Sequence, residues 1–409
     1  MAVDFTRPVA QVLAELQHSL AAARRFDIGF PGAVDLAFPQ LAELLTGQLL
    51  NNVGDPYDLG HGRNHTKQLE QEVVDIVGDL LRAPPGRWGY VTGGASEGNL
   101  HALDEAWQRF PDTIVYTSTA AHYSVIKAAR LLKLPLIMVQ ADGAGQMDYD
   151  DLARQLASHR DRAATIVATA GTTMTEAVDD VGAIVAICQR LAVTRRRIHV
   201  DAALSGIPLA LLPDADRPAF DFIAGATSMV VSGHKFLSTL MPCGVLVYAQ
   251  TPYAVVGGRV SYTGSTDTTI TGSRSGHTPL ILWHILRTLG EEGLRARADA
   301  ARELAAYTHR QLLAIGWEAR LNPHAITVVL RIPPQVVRDK WVLADDGQWS
   351  HIVCAPGVTM SQIKDFISDL AVATRPMPVG GDGRYPLPRQ PRPAAPVANM
   401  AVADVICSA

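Results

Sequence analysis

Lys235 closes the string Ser232-Gly233-His234-Lys235 behind a short apolar run, and Asp201 closes Arg197-Ile198-His199-Val200-Asp201 earlier in the chain. A lysine that attacks a carbonyl carbon must first give up its proton, and a partly desolvated strand end makes that loss easier. A carboxylate at the end of an earlier strand can hold a pyridine nitrogen protonated, which turns a heteroaromatic ring into an electron sink. Each residue alone has an ordinary reading. Lysines are mostly solvated surface charges, and an aspartate after a strand is more often a helix cap. Spacing, strand context and chain order together point to an enzyme that holds pyridoxal 5'-phosphate (PLP) as a Schiff base.

A second group of residues suits the rest of such a cofactor. The turn Thr92-Gly93-Gly94-Ala95-Ser96-Glu97-Gly98-Asn99 lies between an expected strand and an expected helix, where free amides and the helix dipole favour a phosphate. Gly-rich strand-to-helix turns are common, so the signal gains weight only when Ser232 and His234 close the cup from the other side. His122, one strand further on, can stack its imidazole on a flat ring, although a lone loop histidine more often caps or faces solvent. Ala203 leaves room for the ring where a larger side chain would not, with ordinary strand packing as its bland alternative. His61 and His65 lack an acid or cysteine at ligand spacing, so no metal is expected. Asp148, Asp150, Asp151, Asp179 and Asp180 read as caps and turn acids.

These residues need a scaffold, and the chain supplies one. With 409 residues and 48% hydrophobic content it can bury a large core and divide into lobes. The net charge of -4 leaves no footprint for nucleic acid. Four widely spaced cysteines without a Cys-x-x-Cys pair indicate neither a zinc site nor a disulfide framework, so a reducing cytoplasm is expected. No signal peptide and no charge-free apolar run long enough for a bilayer is present, which implies a soluble protein. Helical periodicity at 8–25 predicts an opening helix, and another is predicted near Leu41 to Leu50. Strands are predicted at Trp88 to Thr92, Thr113 to Thr117, Leu136 to Gln140, Thr165 to Thr169, Arg197 to Asp201 and Ser228 to Ser232, with helices between most of them. That alternation implies an α/β fold with a mainly parallel sheet and a ligand at the carboxyl ends of its strands. A long helix from Leu280 to about Ala314, weaker strands at Ala325 to Arg331 and His351 to Ala355, and a helix near Ser361 to Ala373 imply a smaller C-terminal α+β lobe. The expected divisions are 1–55, 56–255, 256–374 and a Pro/Arg-rich tail at 375–409 that cannot bury a core.

Over about residues 26–370 the chain resembles the PLP-dependent group II amino-acid decarboxylases, in the branch with bacterial histidine decarboxylase and plant serine decarboxylase. The resemblance rests on Asn51-Asn52-Val53-Gly54-Asp55-Pro56, Trp88-Gly89-Tyr90-Val91-Thr92, Ser96-Glu97-Gly98-Asn99, His122-Tyr123-Ser124-Val125, Gly171-Thr172-Thr173, Asp201-Ala202-Ala203-Leu204-Ser205-Gly206, Ser232-Gly233-His234-Lys235 and Thr271-Gly272-Ser273-Arg274-Ser275-Gly276-His277. It implies fold-type I, aspartate aminotransferase-like, and a homodimer to which the N-terminal segment contributes, with active sites at the subunit interface. By the same resemblance Lys235 would carry the cofactor as an imine, Asp201 would pair with the pyridine nitrogen and His122 would stack on the ring. Ala95, Ser96, Ser232 and His234 would hold the phosphate, and Ser273 and Arg274 would reach the neighbouring subunit's site. Tyr262 resembles the family's mobile catalytic-loop tyrosine, the acid that protonates the α-carbon.

The implied reaction is decarboxylation of an L-amino acid to its amine and carbon dioxide. L-Histidine is the first choice, with L-serine or a pathway-specific amino acid as the alternative. The loop Thr266-Asp267-Thr268-Thr269 lacks the His-Asp-Lys associated with the bacterial histidine enzymes, while Asn64-His65-Thr66-Lys67-Gln68 and Ala355-Pro356-Gly357-Val358-Thr359 lean toward serine. Two other readings are another PLP reaction on this fold and a catalytically silent binding protein. The joint presence of Asp201 and Lys235 argues against the latter.

Overall fold

The computed structural model describes residues 7–253 and 258–374. In chain order the helices are α1 (Val9–Phe26), α2 (Ala42–Gly47), α3 (Lys67–Leu80), α4 (Ala95–Arg109), α5 (Tyr123–Leu131), α6 (Tyr149–Ala157), α7 (Val181–Arg190), α8 (Gly206–Ala210), α9 (His277–Ala314), α10 (Gln335–Arg338) and α11 (Met360–Ala373). The strands are β1 (Trp88–Thr92), β2 (Ile114–Ser118), β3 (Leu136–Val139), β4 (Ala164–Thr169), β5 (Arg196–Asp201), β6 (Ser228–Ser232), β7 (Gly244–Tyr248), β8 (Ala319–Leu321), β9 (Thr327–Arg331), β10 (Ala344–Asp346) and β11 (Trp349–Val353).

Strands covered on both faces by helices read as unbroken apolar runs, and β1, β2, β4, β6 and β7 are buried at every position. They join β5 and β3 in a seven-stranded sheet of order β1-β7-β6-β5-β4-β2-β3. The pairs from β6 through β3 are parallel, whereas β7 runs antiparallel to both β6 and β1. The six strands expected in this region all form, within one residue at each end. The sequence reading did not anticipate β7. Its run Val245-Leu246-Val247-Tyr248 follows β6 without an intervening helix, so the alternation that marks the other strands is missing. The helix expected over residues 41–50 is shorter, because a 3-10 turn at Pro39–Leu41 precedes α2 and the chain is extended by Gln48.

Helix α4 approaches β6 at Gly98, where an added Cβ would lie 2.5 Å from Val230 Cγ2. The asparagine and serine carried by α4 are thereby held close to the sheet. α9 is not the single helix expected. Gly290, at φ 60 and ψ -177, interrupts it, a conformation that the absence of a Cβ allows. The smaller sheet is antiparallel, β10-β11-β9-β8, and packs with α11 around Trp341, Phe366, Ile363, Val328 and Ile352. Residues up to Thr374 form one compact unit containing this core and the larger one under the main sheet. The tail at 375–409 lies outside the described residues.

Candidate active site

The carboxyl ends of β1, β4, β5 and β6, with the loop after β2, open into one cavity of about 440 Å³. Ala95, Ser96, His122, Asp201, Ala203, Ser232, His234 and Lys235 all line it. Ligands of open α/β sheets settle at such carboxyl ends, where loops diverge and helix N-termini converge.

At one end of the cavity α4 begins at Ala95, so the amides of Ala95 and Ser96 have no carbonyl one turn earlier to bond and are free to donate. Glu97 lines the cavity too, but its oxygens are taken by Tyr90 Oη at 2.9 Å and the Gly93 amide at 2.7 Å. Opposite, His234 Nδ1 lies 3.1 Å from the Cys243 amide nitrogen. The same Nδ1 lies 3.2 Å from the Cys243 carbonyl oxygen; in the tautomer that accepts from the amide, Nε2 keeps its proton as a further donor. Thr169, in the cavity wall, has its Oγ1 buried with no hydrogen-bond partner among the described residues. Free amides, a hydroxyl, an imidazole N–H and an orphaned threonine form a donor-rich set that fits a phosphorylated polar ring.

Asp201 is buried at the end of β5. Asn99 Nδ2 donates to its Oδ2 at 2.8 Å and the Ala203 amide to its Oδ1 at 3.2 Å. Asn99 Nδ2 also reaches Ser124 Oγ at 2.9 Å, and Ser124 Oγ reaches His122 Nδ1 at 2.8 Å. His122 caps α5 through the Ser124 amide and lines the cavity, so the capping and ligand-facing readings both describe it. Burial lowers its pKa against the opposing pull of Asp201, favouring the neutral ring. His199 Nε2 meets Asn99 Oδ1 at 2.9 Å, and burial pushes this imidazole down to about 4.

The same desolvation lowers the pKa of Lys235, with Asp201 and then Glu176 acting in the other direction. A lysine so placed needs less energy to become a neutral nucleophile. Glu176 is buried at φ 54, and its oxygens accept from Ser205 Oγ at 2.7 Å and the Ile326 amide at 2.9 Å. It ties the Gly171-to-Glu176 loop to the smaller sheet. Gly171 itself, at φ +101, leaves no room for a Cβ, which would lie 2.2 Å from Ser205 Oγ.

Three expected residues lie elsewhere. Tyr262 is 84% exposed on a turn and lines a separate small cavity with Asn64, His65 and Lys67. Ser273 is exposed, and its hydroxyl accepts from Asn51 Nδ2 at 3.3 Å. Arg274, expected to reach a neighbouring subunit's site, is not among the residues lining this cavity. Its guanidinium is buried within its own chain, paired with Glu70, bonded to the Gly54 carbonyl at 3.0 Å and set 5.2 Å from the Tyr90 ring centre.

The sequence reading had assigned no role to Asn99, Ser124, His199 or Glu176. Two of them carried a periodic signal: Asn99 is one turn after Ala95 on α4, and His199 shares a face of β5 with Asp201. The other two are placed by contacts from distant segments.

This site stands on a chain whose residues 41–318 match the pyridoxal-dependent decarboxylase conserved domain. The chain belongs to that family, and it is a PLP-dependent amino-acid decarboxylase, a carboxy-lyase. It is 40% identical over 366 residues to the histidine decarboxylase of Mesorhizobium japonicum, covering 89% of this chain and 98% of that one. It is 35% identical over 369 residues to serine decarboxylase 2 of rice, Oryza sativa subsp. japonica, covering 90% and 78%. Among solved structures, the internal aldimine form of L-methionine decarboxylase from Streptomyces sp.590 superposes with a TM-score of 0.82 at 24% identity, covering 91% of this chain and 96% of that one.

Proposed function

We propose that the protein converts L-histidine to histamine and carbon dioxide. The observation that carries this choice is the 40% identity to a histidine decarboxylase along nearly the whole of both chains, against 35% to the rice serine decarboxylase. Conversion of L-serine to ethanolamine is the second reading, favoured by the serine-like segments at Asn64 to Gln68 and Ala355 to Thr359.

PLP, when bound, supplies a cationic ring that accepts the electrons of the bond between the α-carbon and the carboxylate as carbon dioxide leaves. The Ala95 and Ser96 amides, the Ser232 hydroxyl and the His234 imidazole would hold the phosphate. Asp201, kept buried and bonded by Asn99, would pair with the pyridine nitrogen. His122 offers a flat ring to the cavity, and Ala203 a small side chain that leaves space there. Lys235, its proton loosened by desolvation, would carry the covalent link to the cofactor. Tyr262 delivers the proton that replaces the carboxylate, reaching the site from its exposed turn when the loop closes and excludes water.

A homodimer in the cytoplasm is part of this proposal. Helix α1 buries none of its residues, and Val12, Leu13, Leu16 and Leu20 are exposed along it. Exposed apolar stripes of this kind suit a second copy. Cys188, Cys243 and Cys354 are free and buried, as suits a reducing compartment. Among the described residues no helix is long and apolar enough to cross a membrane.

The test is amine and carbon dioxide release by the purified protein with added PLP, across histidine, serine and the other common amino acids. Histamine as the dominant product supports the proposal. Ethanolamine supports the second reading, and a keto acid without amine refutes both.

A further inference from the structure

The hydrogen bonds around Asp201 carry a direction as well as a geometry, and that direction can be worked out from a single anchor. An ionised carboxylate has no proton to give, so the Asn99 side chain must turn its NH2 group toward Asp201 Oδ2, 2.8 Å away. Its carbonyl oxygen then faces His199 Nε2 at 2.9 Å, and that nitrogen must carry the proton. His199 stays neutral at ordinary pH, since burial holds its pKa near 4. Its Nδ1 is therefore unprotonated and accepts from the Ser228 hydroxyl at 2.9 Å. The second hydrogen on Asn99 Nδ2 points to Ser124 Oγ at 2.9 Å, which leaves the serine hydroxyl to donate onward to His122 Nδ1 at 2.8 Å. The Ser124 amide converges on the same nitrogen at 3.3 Å. Two donors aimed at Nδ1 require a lone pair there, so the ring proton of His122 sits on Nε2.

We propose that Asn99 is a positioning residue that makes the ring acid and the stacking imidazole one unit, holding Asp201 as a pure acceptor and His122 as the neutral Nε2–H tautomer. The chain of inference is closed on itself: Asn99 has two donors and one carbonyl, and Asp201, Ser124 and His199 take all three. Asn99, Asp201, Ser124 and His199 are buried, so water does not compete for the bonds among them. A carboxylate at position 99 would accept from Ser124 and His199, and would stand against Asp201 as a second negative charge. Asn99 thus contributes to cofactor binding without touching the cofactor, and this rests on the assignment of Asp201 and His122 given above.

Neutron diffraction from crystals of the full-length, PLP-loaded, perdeuterated enzyme reads the arrangement directly. Deuterium on Nε2 of both His122 and His199, none on His122 Nδ1, and the Asn99 amide facing Asp201 is the expected result. Deuterium on His122 Nδ1, or an Asn99 carbonyl facing Asp201, overturns the proposal. The second measurement is the PLP dissociation constant of Asn99→Asp, a nearly isosteric change. We expect at least about tenfold weaker binding, because two carboxylates sharing one site raise a pKa by a unit or more. Wild-type affinity in a folded Asn99→Asp protein also overturns it. If Asn99→Asp fails to fold, the neutron map of the wild type still decides. Neither readout depends on which amino acid is turned over. Failure of the Asp201 and Lys235 assignment would instead show as an unchanged PLP chromophore in Lys235→Ala.

Discussion

Arg274→Ala separates two accounts of one side chain. By resemblance the residue serves a neighbouring subunit, whereas the structure buries it beside Glu70. Truncation would leave the Glu70 carboxylate in the interior with only Asn52 Nδ2 at 2.8 Å and the Val91 amide at 2.9 Å as partners. Removing one member of a buried ion pair costs about 3–5 kcal/mol, because the other charge remains desolvated. The lost contact with the Tyr90 ring contributes about 0.5–2 kcal/mol of the same loss. We therefore expect urea unfolding of the PLP-free protein to show Arg274→Ala less stable by about 4 kcal/mol. The double variant Glu70→Leu with Arg274→Met should lose clearly less, since an apolar pair replaces a pair that had to be desolvated. Among the described residues Arg274 Nε has no partner, so the native pair is incompletely compensated, which favours the double variant further. A loss below about 1 kcal/mol in Arg274→Ala, accompanied by loss of turnover, would refute this reasoning and return the residue to a neighbour's site.

Lys235→Ala should abolish the visible absorbance of bound PLP and amine formation together, and full turnover in that variant would remove Lys235 from the reaction. Tyr262→Phe should leave PLP affinity unchanged, slow amine release and raise keto-acid by-product; an unaltered product ratio would exclude it as the proton donor. His199, about 4 when folded and 6.5 as a free side chain, binds its proton more tightly in the unfolded chain. Its contribution to stability is therefore full above pH 6.5 and is lost as pH falls toward 4. Between pH 7 and pH 5 wild type should lose about 2 kcal/mol more than His199→Asn, measured by urea titration of the PLP-free protein. Equal losses would show that position 199 is not the titrating group. Gly98→Val should cost about 1–3 kcal/mol, because its Cβ would meet Val230; an unchanged melting curve would mean that α4 can withdraw from β6 freely.

What the sequence made legible follows from how each residue is placed. The strands that end at Thr92, Ser118, Thr169, Asp201 and Ser232 are covered on both faces, so their apolar runs stand out, and residues just past them inherit their position. That is why Ala95, Ser96, His122, Ala203, His234 and Lys235 were readable as one constellation. Glu176 was not, since its partner, the Ile326 amide just before β9, lies far along the chain. The burial of Arg274 was not legible because local composition does not say which side of an extended segment faces inward. The bridge between Asn51 and Ser275 sets that segment's alternation, exposing Ser273 and Ser275 and turning Arg274 in. Strand β7 was missed for a related reason: nothing in the local pattern marks a strand that reverses direction.

The position of β7 also sets the order in which the site can be born on the ribosome. β1 leads into the turn proposed to hold the phosphate, and among the described residues its strand partner is β7, so this strand is made long before it can pair into the sheet. At about 5–20 residues per second, synthesis of the intervening stretch from Thr92 to Tyr248 takes roughly 8–30 s. Through that interval β2, β3, β4 and β5 can pair with one another as they appear, and α4 can meet β5 through Asn99, while β1 waits as an unpaired apolar strand. The cofactor pocket is thus a late product of translation. Nascent chains halted before Gly244 should remain unable to retain PLP, however well their central strands have assembled.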